Sequence, residues 1–286
     1  MKSILLTGGT GFIGNNLINS LKGQFKIFVL KRNNNKTSNI KNDTKLTQLS
    51  YSKINEIENL IRRKKITYLI NLATHYTNKN DTENLIKIVN SNILFSSVVL
   101  NSLNKRYLKK VISIGTMHEH FNNKFFVPFN LYAASKRAFY DIVKFYELKY
   151  PKIKFYNLKF YETFSEHDKR NKIIPALITS IKNNKPITLS SSKLRLNFIH
   201  VDDVISAIHI LLKKEIISGE YQIKSSSFTN IKKLINNINI NLTKKIKIKI
   251  KKEKLSIINY NLKKLPYWKQ TTKIEKFLKE YFYEKN

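Results

Sequence analysis

"LLTGGTGFIGNN", residues 5–16, decides how the rest of the chain is read. The protein has 7 glycines in 286 residues, and four of them, Gly8, Gly9, Gly11 and Gly14, fall in this stretch, directly behind an apolar run. Gly8, Gly11 and Gly14 keep a G-x-x-G-x-x-G spacing. A tight turn takes a residue that tolerates positive φ. A backbone that must lie against a pyrophosphate excludes a Cβ, and the helix that follows offers unpaired N–H groups and the positive end of its dipole. "KSILLTGG" reads as a buried strand entering a turn. "FIGNNLINSLKG" has helical spacing at Phe12, Ile13, Leu17, Ile18 and Leu21 and stops at Gly23. In that strand–turn–helix setting the glycines read as a dinucleotide cradle; without it, the same letters are a plain turn.

The alternation continues outward. "FKIFVL" (25–30), "ITYLINLA" (66–73), "KVISIG" (110–115) and "IKFYNLKF" (153–160) read as strands, and residues 84–103 and 132–150 as helices, the second stopping before Pro151. Such a rhythm predicts an α/β fold, a Rossmann-type doubly wound parallel sheet with helices on both faces. After residue 160 the rhythm loosens. Residues 172–184 read as a helix with Pro175 in its first turn. Residues 197–214 read as a strand and helix returning to the first layer, with Asp202 and Asp203 placed to favour the helix dipole. In "KKIKIKIKKEK" (244–254), Ile246, Ile248 and Ile250 alternate with lysines, the period of a half-buried strand. The organisation that follows is a dinucleotide-binding domain, residues 1–163 with 197–215, and a smaller, mostly C-terminal substrate domain, residues 164–196 with 216–286.

Hydrophobic residues make up 42% of the chain and aromatics 12%, a globular balance. No apolar stretch reads as a signal peptide or a membrane span, and a cytoplasmic location is expected. Without cysteine there is no disulfide, thiolate metal site or cysteine nucleophile, and no metal is expected. Lys and Arg total 53 against 19 Asp and Glu, a formal charge of +34. A polyanion partner is one reading of that excess. The cations are dispersed along the chain, however, and Lys, Asn and Ile are inflated together, so a compositional bias is the reading adopted and no nucleic acid is expected.

An NAD enzyme usually carries an acid at the end of the second strand, to hold the adenosine ribose 2′-hydroxyl. Here Lys31 and Arg32 stand there. A guanidinium pairs with a 2′-phosphate in a bidentate fork, so NADP(H) is preferred, with NAD(H) as the alternative. "LYAASK" supplies Tyr132 and Lys136, i and i+4 on one helix face. A neighbouring ammonium is expected to draw the phenol down from its ordinary pKa near 10. Thr116, at the end of strand "KVISIG", has a hydroxyl suited to polarising a substrate carbonyl beside that tyrosine.

These features together resemble the extended short-chain dehydrogenase/reductase family, whose members act on nucleotide-linked sugars. The resemblance runs through "TGGTGFIG", "NLATH" (71–75), the Thr116 strand, "LYAASK", "NFIHVDDV" (197–204) and "LPYWKQTTKIEKFLKEYF". "IGTMHEHFNNKFFVPFNLYAASKRAF" and "LKFYETFSEHDKRNKIIPALI" are similar to CDP-abequose and CDP-paratose synthases, which are 4-keto reductases finishing dideoxyhexoses for surface polysaccharides. The resemblance implies that Gly8, Thr10, Gly11, Phe12, Ile13 and Gly14 cradle the pyrophosphate and that Leu72 and Ala73 pack along the cofactor. It implies that Thr116 and Tyr132 hold the sugar C4 oxygen and that Lys136 binds the nicotinamide ribose. Arg170, Lys172 and Arg195 are candidates for the nucleotide diphosphate, or solvated cations. His75 faces the substrate or serves the structure.

The family's dehydratases carry an Asp-Glu pair directly after the threonine. Met117 and His118 stand there instead, so the elimination machinery is expected to be absent. His118 and His120 read as exposed loop histidines. The preferred reading is an NADPH-dependent reductase acting on the C4 ketone of a nucleotide-linked deoxy sugar. The alternatives are a 4-epimerase with tightly held NAD and a non-catalytic NADP-sensing regulator. A homodimer paired through helices 84–103 and 132–150 is expected, as in relatives.

Overall fold

The computed structural model describes residues 1–33, 41–240, 242, 245–251 and 259–284. In chain order the first part forms β1 (Ser3–Thr7), α1 (Phe12–Leu21), β2 (Lys26–Arg32), β3 (Leu46–Tyr51), α2 (Glu56–Ile61), β4 (Tyr68–Asn71), α3 (Thr82–Ile88), α4 (Ser96–Ser102), β5 (Lys110–Ile114), α5 (Leu131–Lys149) and β6 (Lys154–Lys159). Then come β7 (Glu162–Phe164), α6 (Ile173–Asn183), β8 (Ile187–Leu189), β9 (Arg195–Leu196), β10 (Phe198–His200), α7 (Val201–Lys213), β11 (Gly219–Gln222), β12 (Thr229–Asn230), α8 (Ile231–Ile240), β13 (Ile248–Ile250) and α9 (Ile274–Lys279).

Seven strands pair in the order β11-β6-β5-β4-β1-β2-β3, every pair parallel. Strand order reverses between β1 and β4, which opens a crevice at their C-terminal ends, where open α/β sheets bind ligands. Successive β1 side chains divide between two cores, as a period of two requires. Ile4 and Leu6 join Leu17, Ile18 and Leu21 of α1 and Val204, Ile208 and Leu211 of α7 on one face. Leu5 joins Ile57 and Ile61 of α2, Val99 of α4 and Phe139 and Val143 of α5 on the other. A third core, around Phe164, Leu177, Leu189, Phe198, Leu234 and Leu278, lies under α6, α8 and α9.

The structure departs from the sequence expectations in four places. The helix expected over 84–103 is α3 and α4 joined through a π-helical turn, Val89–Phe95, in which Asn92 is buried. The stretch Thr82–Ser102 is also long and apolar enough to cross a bilayer by length and composition, although the sequence analysis finds no such span; part of it is packed, through Phe95, Val99 and Leu100, into the second core. From residues 197–214, α7 does return to the first layer, against α1, but β10 pairs with β7 outside the large sheet. The sheet edge beside β6 is taken by β11, from a segment assigned by sequence to the second domain. A three-residue apolar strand carries no mark of which sheet it joins. Near the C-terminus, Ile246 is buried but Ile250 is 48% exposed, so the isoleucine alternation does not keep one face covered throughout; residues 244 and 252–254 of that run lie outside the described residues.

Asp202 is exposed at the start of α7, where the dipole argument holds, but Asp203 is fully buried. Its carboxylate accepts bonds from Thr271 N at 2.8 Å, Thr271 Oγ1 at 2.7 Å and Thr272 N at 3.2 Å, and its carbonyl accepts one from Trp268 Nε1 at 2.9 Å. It thereby pins the C-terminal segment to the first layer. Asp203→Ala removes the carboxylate from the Thr271 and Thr272 donors and leaves the Trp268 bond to the main-chain carbonyl in place; hydrogen bonds to a charged group contribute about 1.5–3 kcal/mol. Urea unfolding is expected to show a loss of that size, with earlier proteolysis after Leu265; unchanged stability would remove Asp203 from this role.

Candidate active site

Gly8 adopts φ +67°, and a Cβ there would lie 2.6 Å from Ala73 N. A Cβ on Gly14 would lie 2.2 Å from the Gly8 carbonyl oxygen. These two glycines therefore serve backbone packing: one lets the turn rest on Leu72 and Ala73 at the exit of β4, the other lets α1 rest on the turn. The Thr7 hydroxyl fastens the same place, donating to Asn71 Oδ1 at 2.6 Å and accepting from Ala73 N at 3.1 Å. Gly11 is different. It is exposed, it caps α1, and the sole neighbour a Cβ would meet is the Gly8 oxygen at 3.2 Å. Among the described residues no side chain caps this helix start, and no acid lies in its first turn. An open backbone surface with uncapped helix N–H groups fits a pyrophosphate. Thr10 is exposed beside it, and Phe12 and Ile13 are half-buried. Lys31 and Arg32 end β2 one strand away, Arg32 exposed with Nε 3.4 Å from the Tyr51 hydroxyl.

Asn130 starts α5 by accepting a bond from Ala133 N at 2.9 Å, which puts Tyr132 in the first turn and Lys136 one turn on. Thr116, buried at the exit of β5, caps a short 3-10 turn, Met117–Glu119. Its hydroxyl accepts from His118 N at 3.2 Å, which leaves its own proton to donate. The Tyr132 ring meets Tyr76 edge-on at 5.0 Å. Contrary to the sequence expectation, the Tyr132 phenol is raised above its ordinary value. Burial is the main cause; a hydrogen bond with Thr74 pulls the other way, and the Glu119 and Glu162 carboxylates add to the rise. Burial also draws the Lys136 ammonium down to about 8, against the pull of Glu119.

Beside Tyr76 lies a cavity of about 870 Å³ whose wall includes Asn78, Glu162, Arg170, Lys172, Pro186 and Thr188. Lys172 sits 4.3 Å over the Tyr76 ring and 3.1 Å from Glu162. Although burial opposes it, bonding from His118 and Lys172 holds the Glu162 carboxyl down at about 2. Arg170 bonds Asp168 through Nε at 2.8 Å and Nη2 at 2.7 Å, and lies 3.8 Å over Phe12, linking the glycine turn to the cavity. Arg195 is exposed, its guanidinium on the Phe228 carbonyl at 3.2 Å. The two histidines are not exposed loop residues. His120 is fully buried, stacked on Tyr260 at 4.2 Å, and His118 is half-buried with Nε2 3.7 Å from Glu162. The aromatic residues of loop 121–129 and Tyr260, distant in sequence, cover them.

Two residues escaped sequence reading. Asn92 accepts from His75 N at 2.7 Å, donates to the His75 carbonyl at 3.1 Å and donates to Ser135 Oγ at 2.9 Å, clamping the β4 loop to α5. This gives His75 a structural part through its backbone, while its Nε2 is buried without a partner among the described residues. A polar residue inside an apolar-periodic helix was the available signal. Glu119 accepts from Thr116 N at 3.0 Å and is 1% exposed.

Residues 4–223 match the family described as NAD dependent epimerase/dehydratase. The chain belongs to this family. Within the extended short-chain dehydrogenase/reductases it is 30% identical over 233 residues to CDP-abequose synthase of Salmonella muenchen, covering 81% of this chain and 77% of that one. It is also 30% identical over 273 residues to dTDP-D-glucose 4,6-dehydratase of Dictyostelium discoideum, covering 82% of this chain and 62% of the relative, so it spans less than two thirds of that protein. In fold it is similar to UDP-N-acetylglucosamine 4-epimerase from Methanobrevibacter ruminantium M1, solved with UDP-N-acetylmuramic acid, at a TM-score of 0.80, 19% identity, and coverage of 98% and 96%.

Gly14→Ala forces a Cβ into the Gly8 carbonyl, and overpacking of this kind costs about 1–3 kcal/mol. NADPH affinity, read by fluorescence titration, is expected to fall about tenfold or more. Wild-type affinity in this variant would mean the turn is no cradle.

Proposed function

We propose that this protein reduces the C4 ketone of a nucleotide-linked deoxy sugar, with NADPH as the preferred reductant. The observation that carries the reading is geometric: Tyr132 and Lys136 stand one turn apart at the start of α5, with the Tyr132 ring against Tyr76 of the cavity wall and the Thr116 turn packed on the same helix. At neutral pH a phenol, ordinarily near 10, carries its proton and can give it to an oxyanion that forms beside it. A bound nicotinamide would supply the hydride. On the protein side, Tyr132 delivers a proton to the C4 oxygen as the carbon gains hydride, so the carbonyl becomes a secondary alcohol. Thr116 donates to the same oxygen, and Lys136 anchors the nicotinamide ribose.

The abequose-synthase relative supports a nucleotide-sugar substrate, and the 870 Å³ cavity has room for one. The acid of the Thr116 turn, Glu119, faces the interior, while Met117 is buried, which leaves elimination without a carboxylate from that turn. Lys31 and Arg32, with no acid in β2, support the 2′-phosphorylated cofactor. Leu85, Ile86, Val89 and Leu94 on the α3 stretch and Phe145 and Leu148 on α5 are exposed, an apolar face that suits pairing of two copies. A monomeric mass in light scattering would end that part of the reading.

The test is to mix the protein with NADPH and a panel of nucleotide 4-keto-6-deoxy sugars. Consumption of one NADPH per sugar is expected. Interconversion of sugars without net NADPH loss would replace the reductase by the epimerase. Tyr132→Phe is expected to lower turnover by about 10²–10⁴-fold while sparing NADPH affinity; unimpaired turnover would remove Tyr132 from its role.

A further inference from the structure

Behind Thr116 runs a chain of charge, fully buried at Glu119 and Lys159 and reaching the surface at Asp141, that the reaction as described does not use. Glu119 Oε2 lies 2.8 Å from Lys159 Nζ, which is fully buried and also 2.8 Å from Glu220 Oε2. Glu220 Oε1 reaches Arg137 Nη1 at 3.4 Å, and Arg137 Nη2 reaches Asp141 at 2.8 Å. The chain links the turn after β5, strands β6 and β11, and the helix of Tyr132 and Lys136. Gly115 makes room for it: a Cβ there would lie 2.9 Å from Lys159 Cγ. Buried ion pairs are poor sources of stability, since desolvation offsets their attraction. An acid and a lysine set directly behind the reacting groups therefore point to another role.

We propose that Glu119 is a positioning residue for this active site: braced from behind by Lys159, it fixes the Thr116 turn through the backbone and sets a carboxyl group behind the helix that carries Tyr132 and Lys136. The inference rests on the reductase reading and deepens it. Glu119 Oε1 holds the Thr116 N–H, so the hydroxyl is aimed from the main chain. The groups facing Glu119 are Lys159 from β6, Glu220 from β11, and Tyr132, Lys136 and Tyr140 from α5, while Arg137 pairs with Glu220. His120, in the same turn, is pushed down to about 4, chiefly by burial and then by Lys159, so it stays neutral near pH 7. The Glu119 carboxyl is raised, chiefly by burial and further by Glu220, while Lys159 at 2.8 Å and the Thr116 N–H oppose the rise and pair with its ionised form. A carboxylate in the interior acts at low dielectric. It favours the Lys136 ammonium and disfavours the Tyr132 phenolate, so both groups stay protonated to higher pH.

Glu119→Gln keeps the shape and the bond to Thr116 while removing the charge. The Lys136 titration, followed by NMR of labelled lysine and assigned by its loss in Lys136→Arg, is expected to move to lower pH by about half to one unit. The alkaline limb of kcat for ketone reduction moves with it. If Glu119→Gln does not fold, Glu220→Gln removes the neighbour that opposes Glu119 ionisation, and the Lys136 titration is expected to move to higher pH; a move to lower pH overturns the proposal. A Lys136 titration unchanged within about 0.2 unit in the folded variant, or a kcat lowered equally at every pH, overturns the proposal. The titration needs no sugar, so a wild-type protein that reduces nothing sinks the reductase reading while this measurement still reports on Glu119.

Discussion

The site depends on two places where backbone touches backbone and no side chain fits. At Gly8 the turn after β1 lies against Leu72 and Ala73; at Gly14 helix α1 lies against the Gly8 carbonyl. With those contacts made, the start of α1 is held at the mouth of the sheet and Gly11 is left facing out. A side chain at either contact would lift the helix by more than the close-packed interior tolerates. The anion-binding property of a helix N-terminus is generic; its location over the β1–β4 crevice is what these two glycines confer.

The groups proposed to react are placed by a different device. Thr116 hangs from the exit of β5 and Tyr132 and Lys136 from the first turns of α5, and these elements meet only through tertiary contacts. Asn92 ties the β4 loop to α5 through Ser135, from inside a π-helical turn. Such turns often mark functional positions, since the extra residue re-aims one side chain. Burial then sets the chemistry: it raises the Tyr132 phenol and lowers the Lys136 ammonium together. Their difference in proton affinity arises from the enclosure as much as from either neighbour.

The glycine turn was legible because local chemistry dictated it: positive φ and close approach leave glycine alone at Gly8 and Gly14. The Tyr132–Lys136 pair was legible because helical spacing puts both on one face. What could not be read was set by distant partners. The direction of the Tyr132 shift is set by burial, with Glu119 and Glu162 adding to it, and that enclosure comes from elements that sequence spacing does not relate to α5. His120 is buried because Tyr260, 140 positions away, stacks on it. Asp203 looked like a helix-dipole acid, yet its carboxylate is taken by Thr271 and Thr272. Arg170 looked available for phosphate, and its guanidinium is bonded to Asp168. The edge strand β11 was missed because a four-residue segment has too little pattern to declare its sheet.

The central claim is that hydride passes across the crevice to the carbon whose oxygen Tyr132 and Thr116 hold. NADPH deuterated at nicotinamide C4 tests it most directly, with the product sugar read by NMR. The account predicts one deuterium bound to sugar C4 and retained there in water. Deuterium at another sugar carbon, or an unlabelled C4 alcohol formed while the cofactor keeps its label, would contradict it.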